Sequence, residues 1–313
     1  MRVAVFGTGG VGGYFGARLA SVGVDVTFIA RGEHLEAIRT RGLRLESVAG
    51  DALVQPAQAT DTLADIGQVD AILLGVKTWQ IPEAAAVIRP CLGPDTFVVP
   101  LQNGVETPLI LAEHLGAQHV VGGLCAVFSL IAGPGHIRHI GGANFIKFGE
   151  LHNEKTARVE RLREAFAQAP VDVEIPADIQ VALWEKCMIV VPFGGLGTVA
   201  RSPQGPVMAV PETRRLLEQA LNEVYQVARA RGVPLPEDSV AKVMALLDET
   251  TPSGTSSMQR DIDAGKRSEL EAWIGAVVRL GAEAGVETPV HSFLYGSLLP
   301  MELRARGELV FPE

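Results

Sequence analysis

The chain opens with a short, mainly apolar run over residues 2–6, closed by Gly7, and a similar run covers residues 24–30. Short, mainly apolar runs bounded by glycine are the pattern of strands buried on both faces of a parallel sheet. Between them, residues 11–22 contain no proline and carry apolar side chains at helical spacing. The opening therefore reads strand, glycine turn, helix, strand, which is one βαβ unit. Two more buried-strand candidates follow at 71–76 and 96–99, separated by a helix-like stretch at 81–88. This alternation predicts a doubly wound sheet with helices on both faces.

From His119 to Gly149 the runs lengthen around Gly133-Pro134-Gly135, which predicts a hairpin finishing the first domain, covered by a helix near 155–168. After Pro176 the periodic segments are long and helical, at 179–191, 212–231, 239–249, 269–284 and 291–304. The expected fold is α/β, with a Rossmann domain over residues 1–174 and an all-α domain over residues 175–313. The sequence shows no internal repeat or low-complexity segment.

Composition narrows the class. A chain of 313 residues, 47% apolar and 20% charged, is ordinary for a globular protein of two domains. The net charge of −9 carries no basic block, which argues against nucleic acid as a partner. Cys91, Cys125 and Cys187 are scattered singly, which suits free thiols in a reducing compartment. The seven histidines include no i, i+4 pair with a supporting acid, so no metal is expected. A glycine motif begins at residue 7, too early for a cleavable leader ahead of it, and a cytoplasmic protein is expected. The apolar stretches at 120–131 and 187–199 read as too short, or too broken by Gly and Pro, to span a bilayer.

That motif is Gly7-Thr8-Gly9-Gly10-Val11-Gly12, a G-x-G-x-x-G sequence that follows a predicted strand and opens a predicted helix. In this context the first glycine allows a tight turn, the second lets the backbone approach a pyrophosphate, and the third permits close helix packing. The helix N-terminus then offers amides and partial positive charge to the phosphates. The tip of the second strand distinguishes the nicotinamide cofactors, because an acid there accepts from the ribose 2′-hydroxyl of NAD. Here Phe28-Ile29-Ala30 runs into Arg31, whose planar fork suits a 2′-phosphate. NADP(H) is favoured, although nearby Glu33 keeps NAD open.

With these residues in hand the chain resembles the ketopantoate reductase (2-dehydropantoate 2-reductase) family. The glycine motif with Arg31 comes first, then Val76-Lys77-Thr78, Leu101-Gln102-Asn103-Gly104 and Trp184-Glu185-Lys186. Ser256-Ser257-Met258-Gln259-Arg260-Asp261, with Glu269 eight residues beyond Asp261, closes the set. The resemblance implies a Rossmann domain and a helical domain like that of 6-phosphogluconate dehydrogenase. It also implies reduction of 2-dehydropantoate by NADPH, a step of pantothenate and coenzyme A biosynthesis. Lys77 and Asn103 are then cofactor-facing, with Asn103 also touching substrate. Lys186 and Glu269 are catalytic, and Ser257 binds substrate.

The residues support these roles in part by themselves. Lys77 and Asn103 lie just past predicted parallel strands, the edge where α/β folds bind ligands. Lys186 precedes the apolar stretch Cys187-Met188-Ile189-Val190-Val191, where desolvation eases release of a proton. Structural alternatives stand beside each role. Lys186 can pair on the surface with Glu185 or Asp178. Ser257 can cap a helix beginning near Met258, and Glu269 can simply favour a helix N-terminus.

Val190, Gly194 and Gly254 occupy positions where the family usually has asparagine. That departure keeps open a different, more apolar 2-oxo acid, with Arg201 a candidate carboxylate partner. A non-catalytic NADP(H)-binding sensor is a third reading, disfavoured by retention of Lys186 and Glu269. Trp79, Trp184 and Trp273 read as core or interface anchors, and the apolar C-terminal helices suit a homodimer interface as well as an interdomain one.

Overall fold

The structure, a computed structural model, describes residues 1–249 and 251–311. The chain divides into two compact units, one made of residues 1–102 and 107–182, the other of residues 103–106 with those from 183 onward.

The first unit begins with β1 (Arg2–Phe6), α1 (Gly10–Ser21), β2 (Asp25–Ile29) and α2 (Gly32–Arg41). Next come β3 (Leu43–Ser47), β4 (Ala52–Val54), β5 (Gln58–Thr60), β6 (Val69–Leu74), α3 (Ile81–Ile88), β7 (Leu92–Pro100) and α4 (Thr107–Leu115). It ends with β8 (Val121–Ala126), β9 (Ser129–Gly133), β10 (His136–His139), β11 (Phe145–Glu150), α5 (Ala157–Ala167) and β12 (Asp172–Glu174).

Its central sheet runs β5-β2-β1-β6-β7, and every pairing is parallel. Strand order reverses at β1, and at such a switch point the loops leaving the carboxyl ends diverge and open a crevice. Successive side chains of β1 face opposite layers. Val3 and Val5 pack with Phe15 and Leu19 of α1 and Leu162 and Phe166 of α5, whereas Ala4 and Phe6 pack with Ile81 and Ile88 of α3 and Leu111 of α4. Burial on both faces explains the mainly apolar runs, each fully buried Phe, Leu or Val contributing about 1.5–3 kcal/mol.

The expected hairpin exists, with β9 and β10 antiparallel around Pro134-Gly135. It belongs to a separate sheet, β4-β3-β10-β9, while β8 and β11 join β12 in a third sheet. The strands between residues 43 and 60 went unread because they are three to five residues long and only partly buried. Helix α2 likewise buries only Leu35, Ala37 and Ile38 of its ten residues, too weak a stripe to stand out.

Helix α6 (Ile179–Ala200) crosses the division between Ala182 and Leu183. The second unit continues with α7 (Gln204–Ala209), α8 (Pro211–Ala230), α9 (Ser239–Glu249) and α10 (Ser257–Asp263). A π-helical turn at Glu271–Gly275 then leads into α11 (Ala276–Ala284), followed by α12 (Pro289–Ala305). The sequence expectation that Gly and Pro interrupt residues 187–199 is corrected here. The helix runs through Pro192 for 22 residues and is long and apolar enough, by length and composition, to cross a membrane. Its glycines are contact points rather than breaks. A Cβ at Gly195 would lie 2.7 Å from Ile274 Cδ1, and one at Gly197 3.2 Å from Gln259 Oε1. Leu183, Trp184, Cys187, Met188 and Val191 are buried, so α6 is a core helix of this unit.

Candidate active site

At the end of β1 the chain turns at Gly7 with φ of 94°, a left-handed value that favours glycine. A Cβ on Gly7 would lie 2.8 Å from the Gly75 carbonyl carbon, so the loops after β1 and β6 touch. At Gly12, in the first turn of α1, a Cβ would lie 2.2 Å from the Gly7 carbonyl oxygen. Gly10 stands against β9, where its Cβ would be 2.5 Å from the Ser129 carbonyl oxygen. Gly9 differs, because a Cβ there would meet nothing within 4 Å. No protein atom demands glycine at this position, yet Gly9 caps α1, where free amides and the positive helix end attract an anion. Such an open cradle fits the pyrophosphate of a dinucleotide.

The rest of the expected nucleotide set, Asn103 excepted, lies on the same sheet edge. Thr8 is buried and donates from both N and Oγ1 to the Ile29 carbonyl, at 3.1 and 2.9 Å, tying the glycine loop to the end of β2. Val11 is half-buried against the core. Arg31, at the N-cap of α2, and Glu33, in its first turn, are both exposed. Lys77 follows β6 half-buried, with Nζ 5.8 Å from the Trp79 ring centre and its own N–H donating to Gln80 Oε1 at 3.1 Å. Gln102 supports this corner. It is buried, and its Nε2 donates to the carbonyls of Leu74 and Val76 at 2.9 and 2.7 Å, fixing the strand end that launches Lys77. In the sequence Gln102 stands only within a motif, although a polar residue closing a buried strand signals that it holds backbone there.

The expected chemical residues fall in the second unit. Asn103 is among them, because residues 103–106 group with the helices. Gly104 has φ of 104°, and a Cβ there would lie 2.9 Å from the Ala272 carbonyl oxygen on the π-helical turn. Glu106 pairs with Arg279 at 2.8 Å, and Arg279 also reaches Glu271 at 3.4 Å. The Tyr295 hydroxyl donates to Glu271 at 2.5 Å, and burial together with that carboxylate pushes its phenol up to about 12. Burial, and then the charge of Glu106, push the thiol of Cys187, the residue after Lys186 on α6, up to about 12.

Lys186, Val190 and Gly194 succeed one another at four-residue spacing on α6. Lys186 and Val190 are half-buried, while Gly194 is buried with its missing Cβ 3.1 Å from the Trp273 ring and 3.2 Å from Ser256 Oγ. The Trp273 backbone N–H in turn donates to the Glu269 carbonyl at 3.0 Å, and Glu269 is buried. Ser257 is the first residue of α10 and half-buried. The capping role considered for it belongs to Ser256, whose Oγ accepts from Gln259 N at 3.0 Å. Asp178 is likewise occupied as a cap, its Oδ1 accepting from the amides of Gln180 and Val181. The structure thus brings the 103–106 loop, the Lys186–Gly194 face, the start of α10 and the Glu269 turn into one unit. Arg201 follows the end of α6, exposed and with φ of 50°. Gly254 packs in the preceding loop, its carbonyl accepting from Gln204 N at 3.0 Å. Among the described residues, no three His, Cys, Asp or Glu side chains are grouped to hold a metal.

The family model for "Ketopantoate reductase PanE/ApbA" matches residues 3–153, and that for its C-terminal region matches residues 178–302. The chain belongs to the ketopantoate reductase family. Membership makes it an oxidoreductase of that type and carries nicotinamide dinucleotide binding with it. A 2-dehydropantoate 2-reductase of Nostoc sp. is 31% identical over 314 residues, covering 98% of both chains. The crystal structure of a family member from Ralstonia eutropha superposes with a TM-score of 0.88 at 33% identity, covering 98% of this chain and 100% of that one. D-mandelate dehydrogenase, solved with NADH and anilino(oxo)acetate, shares the fold at a TM-score of 0.87 but only 22% identity, over 98% of this chain and 100% of that one.

Proposed function

We propose that the chain reduces 2-dehydropantoate to pantoate with NADPH, in the cytoplasm, as a step toward pantothenate. The observation that carries this reading is the grouping of the Asn103 loop with Lys186, Ser257 and Glu269 in one helical unit. Bound NADPH supplies the hydride that the ketone carbon needs. The ketone oxygen needs a proton, which the Lys186 ammonium delivers as general acid. Glu269, held in the buried turn before Trp273, orients Lys186 and accepts from a substrate hydroxyl. Asn103 and Ser257 donate hydrogen bonds that fix the substrate's orientation. On the nucleotide side, Gly7, Gly9, Gly10 and Gly12 with Thr8 and Val11 form the pyrophosphate turn, Lys77 stands beside it, and the Arg31 fork meets the 2′-phosphate.

A second reading, a more apolar 2-oxo acid, is favoured by one specific observation. Trp273 and Ser256 occupy the space that a side chain at Gly194 would need, and Val190 offers no hydrogen bond. Such a pocket loses donors that read a polar substrate, and unmatched polar groups dominate discrimination. NADPH oxidation followed by absorbance, with 2-dehydropantoate beside branched and aromatic 2-oxo acids, separates the two. The first reading requires the highest kcat/KM for 2-dehydropantoate. A preference for an apolar 2-oxo acid replaces it with the second, and no turnover of any 2-oxo acid removes both.

A further inference from the structure

His34 lies in the first turn of α2, three residues after Arg31, and both of its ring nitrogens are engaged. The Gly135 backbone N–H donates to Nδ1 at 3.0 Å, so Nδ1 carries no proton. The proton is therefore on Nε2, which donates to the Thr8 carbonyl at 2.9 Å. One neutral imidazole thus ties together three segments: the glycine loop, the stretch bearing Arg31, and the turn of the β9–β10 hairpin. The hairpin turn is itself fixed, because the Gly135 carbonyl accepts from Arg44 N at 2.9 Å and a Cβ on Gly135 would lie 3.0 Å from that of Ala37. At its other end β9 sets Ser129 against Gly10 of the glycine loop.

A dinucleotide carrying a 2′-phosphate presents two anionic groups at a fixed separation, so the elements that read them must be held at a matching spacing. We propose that His34 is a positioning residue that fixes the glycine loop relative to the Arg31 segment and so sets the preference for a 2′-phosphorylated dinucleotide. This rests on the reading that these two elements bind NADPH.

Acid bears on the same contact. Burial lowers the imidazole below its ordinary value of 6.5, offset in part by the Thr8 carbonyl. The charged or titratable groups on the segments around it are Arg31 at the N-cap of its helix, Glu33, Glu36, Arg39 and Arg41 along that helix, Arg44 and Glu46 on β3, and His136 and Arg138 on β10, the last two paired with Glu46 at 3.1 and 2.9 Å. Protonating Nδ1 would set an N–H against the Gly135 N–H and break the tie, so acid loosens the spacing.

The test is direct binding of NADPH and of NADH, followed by nucleotide fluorescence without substrate, for wild type, His34→Phe and His34→Gln. Loss of both hydrogen bonds in folded His34→Phe lowers the ratio of NADPH to NADH affinity about tenfold. The amide of His34→Gln offers a donor and an acceptor that do not titrate, and it restores most of the ratio. As pH falls below 6.5 the wild-type ratio drops more steeply than that of His34→Gln. Protonation of the 2′-phosphate itself, near pH 6, is common to both proteins and cancels. A folded His34→Phe that keeps the wild-type ratio overturns the inference and leaves the cofactor reading standing. If that variant does not fold, a His34→Gln ratio with the wild-type pH dependence overturns it. A wild type that does not prefer NADPH overturns the cofactor reading and this inference together.

Discussion

The two functional regions are built on different plans. Around the glycine loop, six consecutive residues do the shaping, and the contacts of Gly7 and Gly12 lie within the loop or one strand away. In the helical unit, Asn103, Lys186, Ser257 and Glu269 come from segments up to 166 residues apart in sequence, and packing among those segments brings them into one unit. The first plan resembles a local motif that a sheet edge can carry anywhere, while the second exists only once α6, α10 and the π-helical turn have docked. A mutation should therefore act on the first region through its backbone and on the second through its packing.

The largest stability effect is expected in the second region, at Glu302. It is fully buried and accepts from Ser268 N at 2.9 Å and Oγ at 2.6 Å, immediately before Glu269, and from Arg306 Nε at 2.8 Å. Glu302→Ala strands the buried Ser268 donors beside the half-buried Arg306 guanidinium and should cost about 3 kcal/mol, read from chemical denaturation. Gly12→Ala tests the backbone plan, because its Cβ would collide with the Gly7 carbonyl at 2.2 Å. It should cost about 1–3 kcal/mol and weaken NADPH binding at the same time. Ser256→Ala removes the α10 cap and should cost about 1 kcal/mol in the same denaturation experiment.

Acid should separate the regions more gently. In the first unit His34 is held below its ordinary 6.5 by burial, and His139 by burial and then by the charge of Arg18. Both are neutral when folded, whereas unfolded histidine takes up a proton near 6.5. The unfolded state then binds more protons, so stability is full above that value and falls as pH drops through the window below it. Glu150 adds a loss at lower pH. Burial raises its carboxyl, but hydrogen bonds from Arg158 and Thr156 outweigh this and hold it below 4.5. Its contribution disappears as pH falls through that lowered value. Denaturation midpoints measured from neutral to acidic pH should show both declines, with His34→Gln reducing the first.

The same contrast explains what the sequence could reveal. The parallel strands and the glycine loop were legible because burial on both faces and a contiguous motif leave local marks. Helix α6 was cut short because Pro192 and the glycines at 194, 195 and 197 look like breakers until Trp273, Ile274 and Gln259 are seen packed against them. Asn103 follows a strand of the α/β half, and only the docking of Gly104 onto Ala272 shows that its loop groups with the helices. The cap weighed as an alternative role for Ser257 belongs one residue earlier, a distinction that depends on which hydroxyl reaches Gln259 N. His34 left no pattern at all, since its partners Thr8 and Gly135 are backbone groups distant in sequence.

The most direct test of this division of labour compares wild type with Lys186→Ala, measuring NADPH affinity by fluorescence and turnover by NADPH oxidation with the preferred 2-oxo acid. Loss of the proposed general acid should lower kcat about 10²–10⁴-fold while NADPH affinity stays within about twofold. Turnover near wild type, or loss of NADPH binding in step with turnover, would contradict the assignment of proton delivery to the helical unit and of dinucleotide binding to the sheet edge.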